Sequence, residues 1–212
     1  MGKNIGQLWR VTGDIINCWD CEVGHGSWSS SGIWKIINTH NDIRKYAGPN
    51  HWNDFDMMEV GNGMTNAEDR SHFAMWSILA SPLIMGNDLR IASKETVKTL
   101  SNKEVIAINQ DKLGIQGFRF TNEGDFEIWI KPLENNNWAM AFVNMSNEAK
   151  EINFDWKKYN LSDNVNSKYV DMKSNTFRLR DLFKCKNIGD TNRNLKSTIE
   201  SHDVLFVLLT AE

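Results

Sequence analysis

The sequence predicts an α/β segment followed by an antiparallel, all-β segment, and three observations carry that expectation. Strand-like and helix-like stretches alternate as β, α, β, α, β, α over the first half, which is the order of parallel strands joined by crossover helices. Past Leu113 the hydrophobic period shortens from helical to strict alternation, the pattern of short strands. With 41% hydrophobic residues in 212, the chain can bury a sizeable core. The "GIQG" stretch at 114–117 marks the change, so the expected units are residues 1–113 and 114–212.

Each element has its own signal. "LWRVTGDI" reads as a strand ending at Asp14, and "SGIWKIINTHNDI" places Ile33, Ile36, Ile37, His40 and Ile43 at helical spacing. "HWNDFDMMEV" is a second extended segment. Thr65 and Glu68 form a T-x-x-E capping box that opens a helix through "HFAMWSILA". "SPLIMGNDL" reads as a third apolar strand, closed by Gly86 and Asn87. Ser93 is placed to cap "KETVKTL", and Ser101 with Glu104 makes a second capping box before "VIAIN". Beyond residue 113, "DFEIWIKPL" alternates Phe126, Ile128 and Ile130 against Glu127, Trp129 and Lys131, and "NNWAMAFVNM" alternates Trp138, Met140 and Phe142. "KEINFDW", "NTFRLRDLF", "NLKSTIE" and "DVLFVLL" continue at hairpin-like intervals, which fits an antiparallel sandwich.

Composition removes several function classes. The net charge of −3 is spread along the chain without a basic stripe, so nucleic acid is not an expected partner. No stretch approaches the roughly 18 apolar residues of a membrane helix and the first ten residues lack a hydrophobic signal core, so a soluble chain is expected; its compartment is unassigned. Cys18, Cys21 and Cys185 are an odd set without framework spacing. "CWDC" matches C-x-x-C, but the second ligand pair of a zinc site and the βαβ context of a redox site are both missing, so ordinary thiols are expected. Most of the nine Trp should be core, although an indole face also suits the apolar face of a sugar ring.

Every first-half strand ends in polar residues: Asp14 after the first, Asp54 and Asp56 after the second, Asn87 and Asp88 after the third. In parallel α/β architectures those ends hold active sites, although helix caps and Asx turns also place Asp and Asn there. Asp14 stands out because Arg10, four residues earlier, falls on the same face of a strand. Paired carboxylates are the equipment of glycoside hydrolysis, one delivering a proton to the leaving oxygen and the other attacking or activating water.

The stretches "WRVTGDI", "AGPNHWNDFDMMEVGN", "MWSILASPLIMGNDLR", "VIAINQDKLGIQG" and "SHDVLFVLL" resemble the C-terminal portion of glycoside hydrolase family 27, the α-galactosidases and α-N-acetylgalactosaminidases. The resemblance implies strands six to eight of a (β/α)8 barrel followed by a C-terminal antiparallel β-sandwich. It places the general acid/base on Asp14, the sugar-binding arginine on Arg10, and two pocket residues on Asp56 and Met57. It implies a retaining hydrolase of terminal α-galactosides that uses no metal or organic cofactor. Phe55 stands where the family commonly has proline, which would relax the loop that aims Asp56. The nucleophilic aspartate lies in the family in a motif of the "KYDNC" kind on strand four, and no such motif occurs in these 212 residues. The chain therefore reads as the acid/base half of the enzyme, inactive by itself and prone to self-association through an open strand edge. The competing readings are a truncated, non-catalytic carbohydrate-binding or interaction module and a C-x-x-C redox protein.

Overall fold

The computed structural model describes residues 5–39 and 41–212; His40, which the helical spacing included, lies outside them. The first half holds two short parallel strands, β1 (Leu8–Arg10) and β4 (Trp52–Asp54), with Arg10 opposite Asp54. Between them run a hairpin, β2 (Glu22–Gly24) with β3 (Ser29–Ser31), helix α1 (Ile33–Thr39) and a 3-10 segment, Asn41–Tyr46. Helices α2 (Asn66–Ile78), α3 (Lys94–Leu100) and α4 (Lys103–Asn109) follow.

Local chemistry sets most boundaries. At α2 the Thr65 hydroxyl accepts from the Glu68 N–H, and the Glu68 carboxylate accepts from the Thr65 N–H, so both halves of the expected capping box form. Ser93 caps α3 through the Thr96 N–H. The cap of α4 is Asn102 instead of Ser101: the Ser101 N–H still bonds the end of α3, so the start of the next helix moves one residue on. Two expected strands are also shorter. The first stops at Arg10, because its side chain bonds the Thr12 hydroxyl and the Gly13 carbonyl and the chain curls under it. The "SPLIMGNDL" segment makes a single parallel bridge, Met58 with Met85, flanked by Met58 N–H to the Ile84 carbonyl and Gly86 N–H to the Met58 carbonyl.

The sulfurs of Cys18 and Cys21 are joined in a disulfide, which corrects the expectation of ordinary thiols; the Cα atoms, 6.2 Å apart, lie within the span a disulfide bridges. Cys185 is the exposed free thiol.

The second half is built on a six-stranded antiparallel sheet in the order β12-β11-β14-β7-β6-β5. Its strands are β5 (Phe118–Glu123), β6 (Phe126–Pro132), β7 (Trp138–Asn144), β11 (Phe177–Asp181), β12 (Lys186–Asp190) and β14 (Val204–Ala211). Two ribbons complete it: β8 (Lys150–Phe154) with β13 (Leu195–Ile199), and β9 (Asn160–Asp163) with β10 (Lys168–Asp171). The alternating period has a physical cause, since the sheet separates two cores. Phe126, Ile128, Ile130, Met140, Phe142, Val207 and Leu209 face the ribbons, together with Phe154 and Trp156. Trp129, Ala139, Ala141, Val143 and Phe206 face the first half and pack with Phe73, Trp76 and Ile78 of α2. Both faces are buried, so the central strands are apolar on each side.

Lys131, on the inner face, is fully buried, and its Nζ donates to the carbonyls of Ser77 (3.0 Å) and Ile108 (2.7 Å) near the ends of α2 and α4. Burial pushes its pKa from 10.5 down to about 7, against the pull of Asp111. Between those values the unfolded chain holds a proton that the folded chain has released, so this residue makes stability rise as pH climbs from 7 toward 10. Urea midpoints compared for wild type and Lys131→Met should diverge across that interval; parallel profiles would refute the assignment.

Candidate active site

The two parallel strands deliver Arg10 and Asp54 side by side, and the chain beyond each brings up an acid. The Arg10 guanidinium donates to Asp14 (3.1 Å) and to Asp56, so one cation holds both carboxylates. The contact between Arg10 and Asp14 is made across the turn and not along a strand face. The acids differ in freedom: the Asp14 side chain is 67% exposed and that of Asp56 13%.

Asp56 is fixed from several directions. Its Oδ2 accepts from the Ile15 N–H at 2.8 Å, which ties it to the residue after Asp14, and its Oδ1 accepts from the Met57 N–H at 2.7 Å. Its own N–H donates to Asp54, its carbonyl accepts from the Trp76 indole at 2.8 Å, and its φ of 81° is one that non-glycine residues seldom adopt. Trp76 is braced by His72, whose ring centre lies 4.1 Å away; burial lowers the His72 pKa to about 3, so this imidazole is neutral. Phe55, expected to loosen the loop, anchors it instead. Its ring is fully buried, and its N–H, which proline would lack, donates to the Ser81 hydroxyl at 3.2 Å.

Met57 is half-buried beside Gly86, where an added Cβ would come within 2.7 Å of its sulfur. Arg10, Asp14, Asp56 and Met57 are thus grouped at the C-terminal ends of β1 and β4. Asp54 supports Asp56. Asp88 pairs locally with Arg90, and the Asn87 amide is buried without a hydrogen-bond partner among the described residues. Sequence reasoning did not find Thr12, the Ile15 N–H or Trp76, since main-chain contacts and a buried indole leave no spacing signal. A cleft of about 530 Å³ lies at the other ends of the strands, lined by Leu8, Trp52 and Pro82, away from the acids. Among the described residues no cluster of three or more His, Cys, Asp or Glu side chains converges as a metal site would, and no helix is long and apolar enough to cross a membrane.

A family profile described as alpha galactosidase A matches residues 2–111, and one described as the alpha galactosidase C-terminal beta sandwich domain matches residues 123–209. The chain belongs to the α-galactosidase family, glycoside hydrolase family 27. It is 47% identical over 208 residues to alpha-galactosidase A of Cellvibrio japonicus, covering 98% of this chain and 51% of that protein. To alpha-galactosidase 2 of Arabidopsis thaliana it is 38% identical, covering 98% of this chain and 47% of the relative. This α-galactosidase-family chain therefore spans about half the length of the curated relatives it matches. The structure of alpha-galactosidase I from Mortierella vinacea superposes with a TM-score of 0.84 at 27% identity, over 98% of this chain and 54% of that one. That of the Saccharomyces cerevisiae enzyme with raffinose, at 23% identity, shares the fold with a TM-score of 0.86, over 100% of this chain and 61% of that one. An α/β part of the catalytic barrel type and a β-sandwich are both represented.

Proposed function

We propose that these residues supply the acid/base side of a retaining hydrolase that removes terminal α-linked galactose. The observation that carries the reading is the single guanidinium shared by Asp14 and Asp56 at the mouth of two parallel strands. Asp14, exposed and held by one contact, is the acid that protonates the departing glycosidic oxygen and later takes a proton from water. Arg10 holds the sugar and spaces the two acids, while Asp56 and Met57 line the pocket wall. Residues 1–113 act as strands six to eight of the barrel and residues 114–212 as the sandwich that backs them. Asp56 cannot serve as nucleophile in this reading, because it grips the same cation as Asp14 and is bound to Ile15, on the same side of the bond. Retaining hydrolysis needs a carboxylate roughly 5 to 5.5 Å away across the sugar. That partner belongs to a strand of the "KYDNC" kind, which these residues do not contain.

The absence of an opposing acid among the described residues also favours a second reading, a module that binds sugar without turnover. One experiment separates the two. The purified chain should release no nitrophenol from nitrophenyl α-galactoside, whereas the chain fused behind the N-terminal half of the Cellvibrio japonicus relative should. Turnover by the chain alone that Asp14→Ala abolishes would overturn the half-site assignment. A folded, sugar-binding but silent fusion would favour the module. In the same samples, sedimentation should show association: β1 pairs on one side with β4 and has no second strand partner among the described residues, and Leu8, on that strand, is 46% exposed.

A further inference from the structure

Between Asp14 and α1 the chain makes an excursion whose purpose the acid pair does not explain. After the disulfide loop it forms the β2–β3 hairpin, closed by His25 N–H to the Trp28 carbonyl, with Trp28 half exposed at the turn. The hairpin is clasped to the main chain of the acid itself. Ser31 N–H donates to the Asp14 carbonyl at 2.9 Å, Ile16 N–H donates to the Ser31 carbonyl, and Ile15 bridges Ser31 in parallel. A Cβ on Gly13 would come within 2.5 Å of the Ser29 carbonyl oxygen, so the residue that follows Trp28 packs against the residue that precedes Asp14. The turn that carries Trp28 is therefore held against the main chain beside the acid.

The mount is rigid. Gly32 N–H bonds the Cys21 carbonyl and Ile33 N–H the Cys18 carbonyl, clamping the disulfide loop to the start of α1. Inside that loop Trp19 is stacked between Trp34 (5.0 Å) and His202 (4.6 Å), which joins it to the second half of the chain. The His25 ring backs the Trp28 indole at 4.2 Å and is held by the Ser30 hydroxyl at 3.0 Å. The surround is polar, with the Ser29 hydroxyl bonded to Glu22 and Glu22 paired with Lys35.

An exposed indole with one flank braced and a rim of hydroxyls and charges matches the C–H face and hydroxyl edge of a pyranose. The geometry points to Trp28 as the stacking platform for the sugar of the leaving group, the ring joined to the galactose that Asp14 releases. This assignment rests on the acid/base reading of Asp14. It makes the C-x-x-C disulfide the clip of a substrate platform and gives the chain a preference for glycosidic over simple aryl leaving groups.

The test follows the Trp28 indole N–H signal of the 15N-labelled chain during titration with raffinose, whose galactose is linked to sucrose, and separately with sucrose and with galactose. Raffinose and sucrose should move the signal and galactose should not. Trp28→Ala should bind raffinose roughly tenfold more weakly, the loss of one aromatic face, and Trp28→Phe should restore most of the affinity. A Trp28 signal unmoved by raffinose, one moved as far by galactose as by sucrose, or unchanged affinity in Trp28→Ala overturns the platform. The wild-type titration decides alone if Trp28→Ala fails to fold. Failure of the acid/base reading would show instead as equal loss on activated and unactivated galactosides in the Asp14→Asn fusion, whichever way the sugar titration falls.

Discussion

Asp14→Asn, made in the fused barrel described above, should lower turnover of galactosides with poor leaving groups by about 10²- to 10⁴-fold, the usual worth of a positioned proton donor. Nitrophenyl α-galactoside should lose far less in its first step, because nitrophenolate departs without help. The structure makes this a clean experiment. Asp14 is largely exposed and its carboxylate meets Arg10 alone among the described residues, so the amide should leave the melting temperature close to wild type. Arg10 keeps its second contact to Asp56 in the variant, so sugar binding should survive. Arg10→Ala differs: it frees both acids at once and should weaken binding as well as turnover, since a charged hydrogen bond to the ring acts in ground state and transition state alike. Equal loss on activated and unactivated substrates in Asp14→Asn, with the fold intact, would remove the acid role.

What the sequence reveals here follows the range of each interaction. The Thr65 capping box is legible because donor and acceptor lie three residues apart. The cap of α4 is misplaced by one residue because Ser101 and Asn102 are both suitable, and the choice depends on where α3 ends. C-x-x-C spacing is the same for a zinc half-site, a redox pair and a structural disulfide, so the bond between Cys18 and Cys21 had no distinguishing mark. The strands that escaped notice, such as β9, β10 and β12, are short and polar and carry little alternation. The alternation of β6 is plain, yet it does not say that Lys131 would be buried, because its acceptors come from helices 54 and 23 residues earlier. In the site, Arg10 and Asp14 are readable together. Asp56, 46 residues on from Arg10, becomes a neighbour through parallel pairing, and what fixes it is the Ile15 main chain and the Trp76 indole, which no spacing rule reaches.

Asp163→Ala should be the most damaging single change to stability, at about 3 to 5 kcal/mol, because it breaks a buried ion pair from one side. The Asp163 side chain is fully buried at the end of β9, and it receives the Arg44 guanidinium at 2.7 Å from a segment 119 residues earlier. The same carboxylate accepts from the Val165 and Asn166 N–H groups and from the Asn166 side chain at 2.8 Å, so it also closes the turn after the strand. Arg44 lies over the Phe118 ring with its side chain 16% exposed. Once Asp163 is gone its charge stays largely desolvated, with only that ring face to meet it among the described residues. The penalty therefore comes mainly from the orphaned cation, and removing both groups should cost less than the sum of the single changes. Arg44→Met beside Asp163→Ala should recover part of the loss, while Asp163→Asn, which keeps the turn but not the charge, should fall between wild type and alanine. Urea unfolding of these three variants, of Arg44→Met alone and of the wild type measures each step. If Asp163→Ala costs under 1 kcal/mol, or the double variant simply adds the two losses, the pair does not join the 3-10 segment to the β9–β10 ribbon in the way the geometry implies.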